Sequence, residues 1–379
     1  MWWPERWRAF RNRCLANPAF QARALSLPLI RGIARRRARE SFDLCAGFVY
    51  SQVLFACVRL GVLEALRRKP LTAVALASRV GLDAPAALCL LRAGVPLGLF
   101  DPSDATGSFG LGAVGASLLG NPSALAMVAH HDLLYADLAD PVALLRRSGG
   151  PMRLQRFWAY AADAAPAAVS TEQVAAYSRL MSASQPMVHE TVLDVVKLGS
   201  CRLLLDVGGG EGAFAIAAAR RDPRLHCQVF DLPPVAALAR QRVMREGLAD
   251  RIEVHGGDFL ADALPAGADL LSFVRVLHDH DDEVVRQLLR AAHDALPPGG
   301  RLLVAEPFAG TTSAPRVGDA YFGLYLMAMG QGRPRTAADY ARLLQEAGFR
   351  GVRCIPTSLP LACGVLLANR PPRLIVSSS

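Results

Sequence analysis

Nowhere in the 379 residues is there a run of ~18 uncharged apolar residues, the length a bilayer span needs. The longest apolar stretch, FDLCAGFVYSQVLFACVRLGVLEAL (42–66), is interrupted by Asp43, Arg59 and Glu64 and is expected to form a buried helix. No CxxC pair occurs among the eight cysteines (14, 45, 57, 89, 201, 227, 354 and 363), and none of their spacings suits a metal. They are read as small core residues in a reducing compartment. A secretory leader is missing too, since tryptophan and arginine stand where its apolar core would be; the expected location is the cytoplasm. Histidines and carboxylates do not gather at ligand spacing, so no metal is expected.

What is present is unevenly spread. The length allows two domains with separate cores, and a mean hydropathy of +0.24 is high enough to fill both. The net charge is +9. Residues 1–39 hold ten arginines and one acid, Glu5, so the excess lies there and the rest of the chain carries 32 residues of each sign. Trp2, Trp3, Trp7 and Phe10 alternate with Arg6, Arg8, Arg11 and Arg13. Indole and guanidinium suit the headgroup layer of an anionic membrane, giving a peripheral contact. A basic arm laid on a partner subunit fits the same residues. Nucleic acid is not expected, because the charge is confined to the arm and no reading face accompanies it.

Beyond this arm (1–40) the texture divides in two. Residues 41–195 read as a helical, winged-helix-like domain for dimerisation and substrate capping. A helix starts after Thr72, Asp83 caps the next, and a Gly/Ser/Asp-rich hairpin follows GLF. The second helix, APAALCLLRAGVPL, has Arg92 as its one cation, too few for phosphate contacts on DNA. From 196 to 379 strands alternate with helices. Strands are expected at 202–207, 226–231, 252–255, 269–276, 301–306, 351–356 and 363–368, most of them parallel. The last two are joined by only TSLPLA, so the final strand must run antiparallel. The fold class is α/β: a Rossmann-like sheet with a terminal antiparallel strand, similar to the class I methyltransferases.

The first strand of that sheet ends in LLLDVGGGEGAFAIAAA (203–219). Gly208, Gly210 and Ala213 satisfy the dinucleotide pattern G-x-G-x-x-A, which alone is weak. Three acids favour S-adenosylmethionine (SAM) instead. Asp206 places a carboxylate where an amino acid's ammonium would lie, whereas a dinucleotide site keeps the helix N-terminus for pyrophosphate. Asp231, followed by Leu232, ends the second strand, where it reaches ribose hydroxyls. Asp258 ends the third, with Phe259 beside an adenine ring. A ligand with a positive sulfur and no phosphate matches this set. The fourth strand delivers His278 in SFVRVLHDHDDE, beyond the carboxyl edge of the sheet, where an imidazole can accept a hydroxyl proton. Glu306, ending the fifth strand, lies on the same edge and can orient that ring; a loop-capping role is its bland alternative. His130, His131, His189, His226, His255, His280 and His293 are read as structural.

DVGGGEG, FDLP, GGDF, VLHDHDDE and VAEP behind a winged-helix region resemble the two-domain O-methyltransferases typified by plant caffeate and bacterial polyketide enzymes, over about residues 42–370. The resemblance implies a homodimer, His278 as base, and Gly208, Asp231, Asp258 and Phe259 as cofactor residues. It also implies that Arg275 contacts the cofactor and that Met181, Tyr321 and Tyr325 line the acceptor. Two departures stand out. Where plant members have GKERT this chain has GQGRPRT, so Pro334 replaces a second ring-orienting glutamate and leaves no other carboxylate to compensate. Val274 stands where plant members have lysine. YFGLYLMAMGQGRPR and RRRARESFDLCAGFVYSQVL are most similar to the carotenoid hydroxyl methyltransferases of phototrophic bacteria, which methylate the tertiary hydroxyl of hydroxyneurosporene or demethylspheroidene. Alternatives are an aromatic polyketide or phenol O-methyltransferase, a C-methyltransferase of a bacteriochlorophyll precursor, and a SAM-binding winged-helix regulator.

Overall fold

A computed structural model describes residues 2–103, 106–148, 150, 152–158, 185–311, 316–360 and 363–372. The chain forms two compact units, residues 1–120 and 121–379.

In the first unit the arm is helical. Helices α1 (Trp2–Ala16) and α2 (Pro18–Ser26) meet at Asn17, whose side chain accepts from Ala19 N and Phe20 N. Helix α3 (Arg31–Arg59) then runs 29 residues without a break. The arginine-rich arm therefore does not stop at 40 but merges into the apolar stretch. Only the end of that stretch is buried as expected, at Cys57, Val62, Leu63 and Leu66, while its start lies open. Phe42, Leu44 and Phe48 are 65, 79 and 71% exposed. By length and composition α3 is apolar enough to cross a bilayer, with 6% of its apolar window buried.

After α4 (Val62–Leu66) comes the winged helix. Strand β1 (Leu71–Thr72), α5 (Ala73–Val80), α6 (Ala84–Gly94), β2 (Phe100–Ser103), β3 (Ser108–Leu111) and α7 (Ala113–Leu119) follow in turn. The strands pair antiparallel in the order β1-β3-β2. Thr72 and Asp83 start α5 and α6 by accepting from Ala75 N and Ala86 N, as their positions predict.

The second unit opens with α8 (Pro122–Asp137), α9 (Pro141–Arg146), α10 (Arg153–Phe157) and α11 (Pro186–Val195). The expected catalytic domain began at 196, whereas the compact unit begins at Asn121. The reason is packing: Leu134, Leu144, Leu154 and Trp158 share a core with Phe322, Tyr325, Leu326 and Met329 from near the chain's other end. Next come β4 (Leu203–Val207), α12 (Ala213–Arg221), β5 (His226–Asp231), α13 (Pro233–Arg245), β6 (Ile252–Gly256) and β7 (Leu270–Val274). A 3₁₀ turn (Leu277–Asp279) leads to α14 (Asp282–Ala295) and β8 (Arg301–Glu306). A π-helical stretch (Val317–Phe322), α15 (Gly323–Met329), α16 (Ala337–Glu346), β9 (Arg350–Ile355) and β10 (Gly364–Asn369) complete it.

The sheet order is β6-β5-β4-β7-β8-β10-β9, parallel except for β10, which runs antiparallel to both neighbours. Buried on both faces, the strands split their apolar residues alternately. Leu204, Leu270 and Val274 enter one core, Leu205, Val207, Leu271 and Phe273 the other. The strand order reverses between β4 and β7, which opens a crevice at their carboxyl ends.

Candidate active site

The crevice is floored by the glycine loop after β4. Gly208 (φ +68°) and Gly210 (φ +59°) adopt left-handed backbone that glycine tolerates at no steric cost. A Cβ on Gly208 would press on Val276 at 2.8 Å, while one on Gly210 would meet nothing within 4 Å. The loop is thus tight beneath and open above. Asp206, 1% exposed, sits under it. Its Oδ1 accepts from Ser272 Oγ at 2.6 Å, and its Oδ2 is buried without a hydrogen-bond partner. Burial pushes this carboxyl up to about 7, the Ser272 bond opposing and Asp231 adding to the shift. A buried, unpartnered carboxylate oxygen is costly unless a cation or donor completes it.

Asp231 ends β5 and cross-ties the loop, its Oδ2 accepting from Gly210 N (2.7 Å) and its Oδ1 from Leu232 N (2.8 Å). Burial pushes it up to about 6. Leu232 stands at the N-cap position of α13 without a side-chain cap bond. Beyond β6, Asp258 is half-buried and turns its own loop by accepting from Leu260 N (2.8 Å). Phe259 meets the His280 ring edge-on at 5.5 Å. Arg275, just past β7, is a non-glycine residue at φ +59°. Its guanidinium lies 5.0 Å from the Phe322 ring centroid, and its Nε is buried without a hydrogen-bond partner. Strain of this kind persists where the surroundings enforce it.

His278 lies in the 3₁₀ turn and is buried. Its Nδ1 is hydrogen-bonded to Glu306 Oε2. Glu306, wholly buried at the end of β8, also accepts from Val276 N (3.0 Å) and Leu277 N (2.7 Å) through Oε1. It caps the turn and holds the ring at once, so both readings of it apply. Sequence reasoning missed the acid next door. An Asp279 oxygen lies 3.1 Å from His278 Nε2, on the opposite side of the ring from Glu306. The expectation that no further carboxylate serves this ring is therefore corrected: Pro334 removes one, and Asp279 supplies another. Two carboxylates thus flank one imidazole, one at each ring nitrogen.

An aromatic wall adjoins His278. Phe322 meets His278 edge-on at 5.8 Å, and Tyr321 stacks on Tyr325 at 5.9 Å. Two histidines read as structural join it. His131 Nε2 pairs with Tyr321 Oη at 2.8 Å, and His130 Nε2 with Tyr325 Oη at 3.3 Å. Burial lowers both histidines, His130 to about 4, which keeps them neutral near pH 7. Met181 lies outside the described residues. Ser272 was missed as well, although a lone hydroxyl in the buried strand LLSFV is a visible signal.

Comparison with known proteins places this site. Residues 135–350 match the O-methyltransferase domain family, and residues 42–121 match the O-methyltransferase dimerisation domain. The chain is 45% identical over 359 residues to a demethylspheroidene O-methyltransferase of Cereibacter sphaeroides, spanning 95% of this chain and 94% of that one. It is 39% identical to a demethylspheroidene O-methyltransferase of Rhodobacter capsulatus, over 91% and 85% of the two chains. Among solved structures, human N-acetylserotonin methyltransferase in complex with SAM superposes with a TM-score of 0.72 at 27% identity, over 88% of this chain and 98% of that one. A dimerisation domain, a parallel sheet closed by one antiparallel strand, and a histidine–glutamate pair beside a glycine loop stand together in one chain, which belongs to the O-methyltransferase family.

Proposed function

We propose that this enzyme transfers a methyl group from S-adenosylmethionine to the hydroxyl oxygen of a hydroxylated carotenoid, of the hydroxyneurosporene or demethylspheroidene type. The observation that carries the acceptor is 45% identity sustained over 95% of the chain with a demethylspheroidene O-methyltransferase. The chemistry rests on the histidine held between Glu306 and Asp279.

The donor residues fit a cationic ligand. The unpartnered Oδ2 of Asp206 suits an ammonium, and Asp231, with one backbone N–H on each oxygen, keeps lone pairs for ribose hydroxyls. Asp258 and Phe259 follow β6, where an adenine would be gripped, and Arg275 follows β7 with its guanidinium over Phe322. When bound, S-adenosylmethionine supplies an electrophilic methyl on a positively charged sulfur that leaves readily. The protein's task is alignment of the acceptor oxygen and removal of its proton. His278 receives that proton at Nε2, because Glu306 accepts the hydrogen on Nδ1 and so keeps the lone pair on the other nitrogen. A tertiary alcohol is a far weaker acid than a phenol, so the proton leaves during methyl transfer rather than before it. Tyr321 and Tyr325 line the acceptor side.

The match to a dimerisation domain supports a homodimer. The arm docks it on the membrane where such an acceptor resides: Trp3 and Trp7 are 85 and 62% exposed among arginines. Methyl transfer from labelled donor, measured against hydroxyneurosporene, demethylspheroidene and a set of phenols, tests the assignment. Turnover confined to phenols would overturn the acceptor.

A further inference from the structure

Arg335 is the largest fully buried side chain among the described residues, and the proton-transfer scheme above does not use it. A wholly buried guanidinium is tolerated only when its donors are met. Here Nη1 donates to Leu277 O (2.9 Å), and Nη2 to His280 O (2.7 Å) and Asp282 Oδ1 (2.7 Å). Nε donates to the same Asp282 oxygen (2.9 Å). Leu277 and His280 bracket the two residues His278 and Asp279, so one planar group spans the turn that carries them.

The rest of GQGRPRT reinforces this grip. Arg333 N donates to His278 O (3.1 Å), and the Arg333 side chain grips Asp282 at 2.8 and 2.9 Å. Gly332, at φ +79°, lets the segment pass so close that a Cβ there would collide with His278 O. On its other side the same turn is held by Glu306 through Val276 N and Leu277 N. The turn is therefore fastened from two sides, by a carboxylate on its N–H groups and a guanidinium on its carbonyls.

We propose that Arg335 is a positioning residue for methyl transfer: by fixing both carbonyls around His278 and Asp279 it sets the direction of His278 Nε2 toward the acceptor hydroxyl. The proposal rests on the reading of His278 as proton acceptor. Lysine cannot reproduce it, because a single ammonium lacks the planar fork that reaches both carbonyls and Asp282 together.

The test is a double-mutant cycle with demethylspheroidene and labelled donor. Arg335→Lys should lower kcat about 10- to 100-fold, the range a misplacement near 1 Å produces, with the dissociation constant for S-adenosylmethionine unchanged. In a His278→Ala background the same substitution should cost less than about twofold, since the group it aims is gone. Losses that multiply in the double variant would overturn the proposal. Normal turnover by His278→Ala alone would instead overturn the proton-acceptor reading. Should Arg335→Lys not fold, Gly332→Ala displaces the turn from the same side with the buried charge intact, and the same non-additivity is expected. Independently of turnover, the proton resonance of His278 Nδ1–H bonded to Glu306 should shift or broaden in either variant; an unaltered resonance counts against positioning.

Discussion

Replacing Glu306 by glutamine puts a donor opposite His278 Nδ1 where an acceptor stood. The carbonyl end of the amide can still receive Val276 N and Leu277 N, so the turn should keep its cap. The ring, however, would now carry its hydrogen on Nε2, the wrong tautomer for accepting a proton. Turnover of Glu306→Gln should fall about 100-fold or more, with donor affinity kept, as steady-state kinetics beside calorimetry would reveal. Asp279→Asn leaves the Glu306 bond intact and should cost less, roughly tenfold, by removing one of the two carboxylates in contact with the ring. A second residue-scale consequence concerns pH. Burial holds Asp206 at about 7 and Asp231 at about 6. A cationic donor favours their ionised forms, so binding lowers both values and releases protons. Donor affinity should rise with pH, by up to tenfold per unit for each group, from about pH 5 to about pH 7, and then level off. Calorimetry in buffers of different ionisation enthalpy counts the protons directly. A flat profile would exclude Asp206 as the ammonium partner.

Helix α3 carries the arginines of 31–39 and the apolar face from Phe42 as one uninterrupted element. Removing residues 1–29 spares it while deleting Trp3, Trp7 and five arginines. Flotation with vesicles containing anionic lipid should weaken, and added salt should have a smaller effect than on the full chain, at ~1 kcal/mol per basic residue lost. A dimer that splits while lipid binding stays constant would assign the arm to the partner subunit. Elements of this size were the most legible part of the chain. The expected 202–207 and 226–231 match Leu203–Val207 and His226–Asp231, because an apolar run ending in Asp leaves few alternatives. The positions of His278 and Glu306 were legible for the same reason, since Glu306 ends one parallel strand and His278 lies just past another. The grouping of α8–α10 was not, because their packing on Phe322 and Tyr325 is a contact between residues nearly 200 apart. Asp279 was hidden among the acids of LHDHDDE, where spacing cannot say which carboxylate turns toward the ring. Burial of the α3 face was misjudged because apolar composition does not distinguish a core face from an exposed one.

At the level of the assembly, the proposed homodimer would bring that exposed face against a second copy. The dimerisation match begins at residue 42, the point where α3 turns apolar. In a two-fold interface each substitution acts twice, so one charge placed there is felt from both subunits. Leu44→Asp with Phe48→Asp should convert the dimer to monomers by sedimentation velocity, while thermal unfolding of the sheet unit changes little. The continuity of α3 then carries a further consequence. A dimer would bear two basic arms, and if each docks on lipid as proposed, the two contacts would together hold far longer than either alone, since the second binds at high effective concentration. Valence, rather than any single tryptophan, would set the time the enzyme spends on a bilayer. Dilution below the dimer dissociation constant should therefore release it from vesicles even with every arm residue in place.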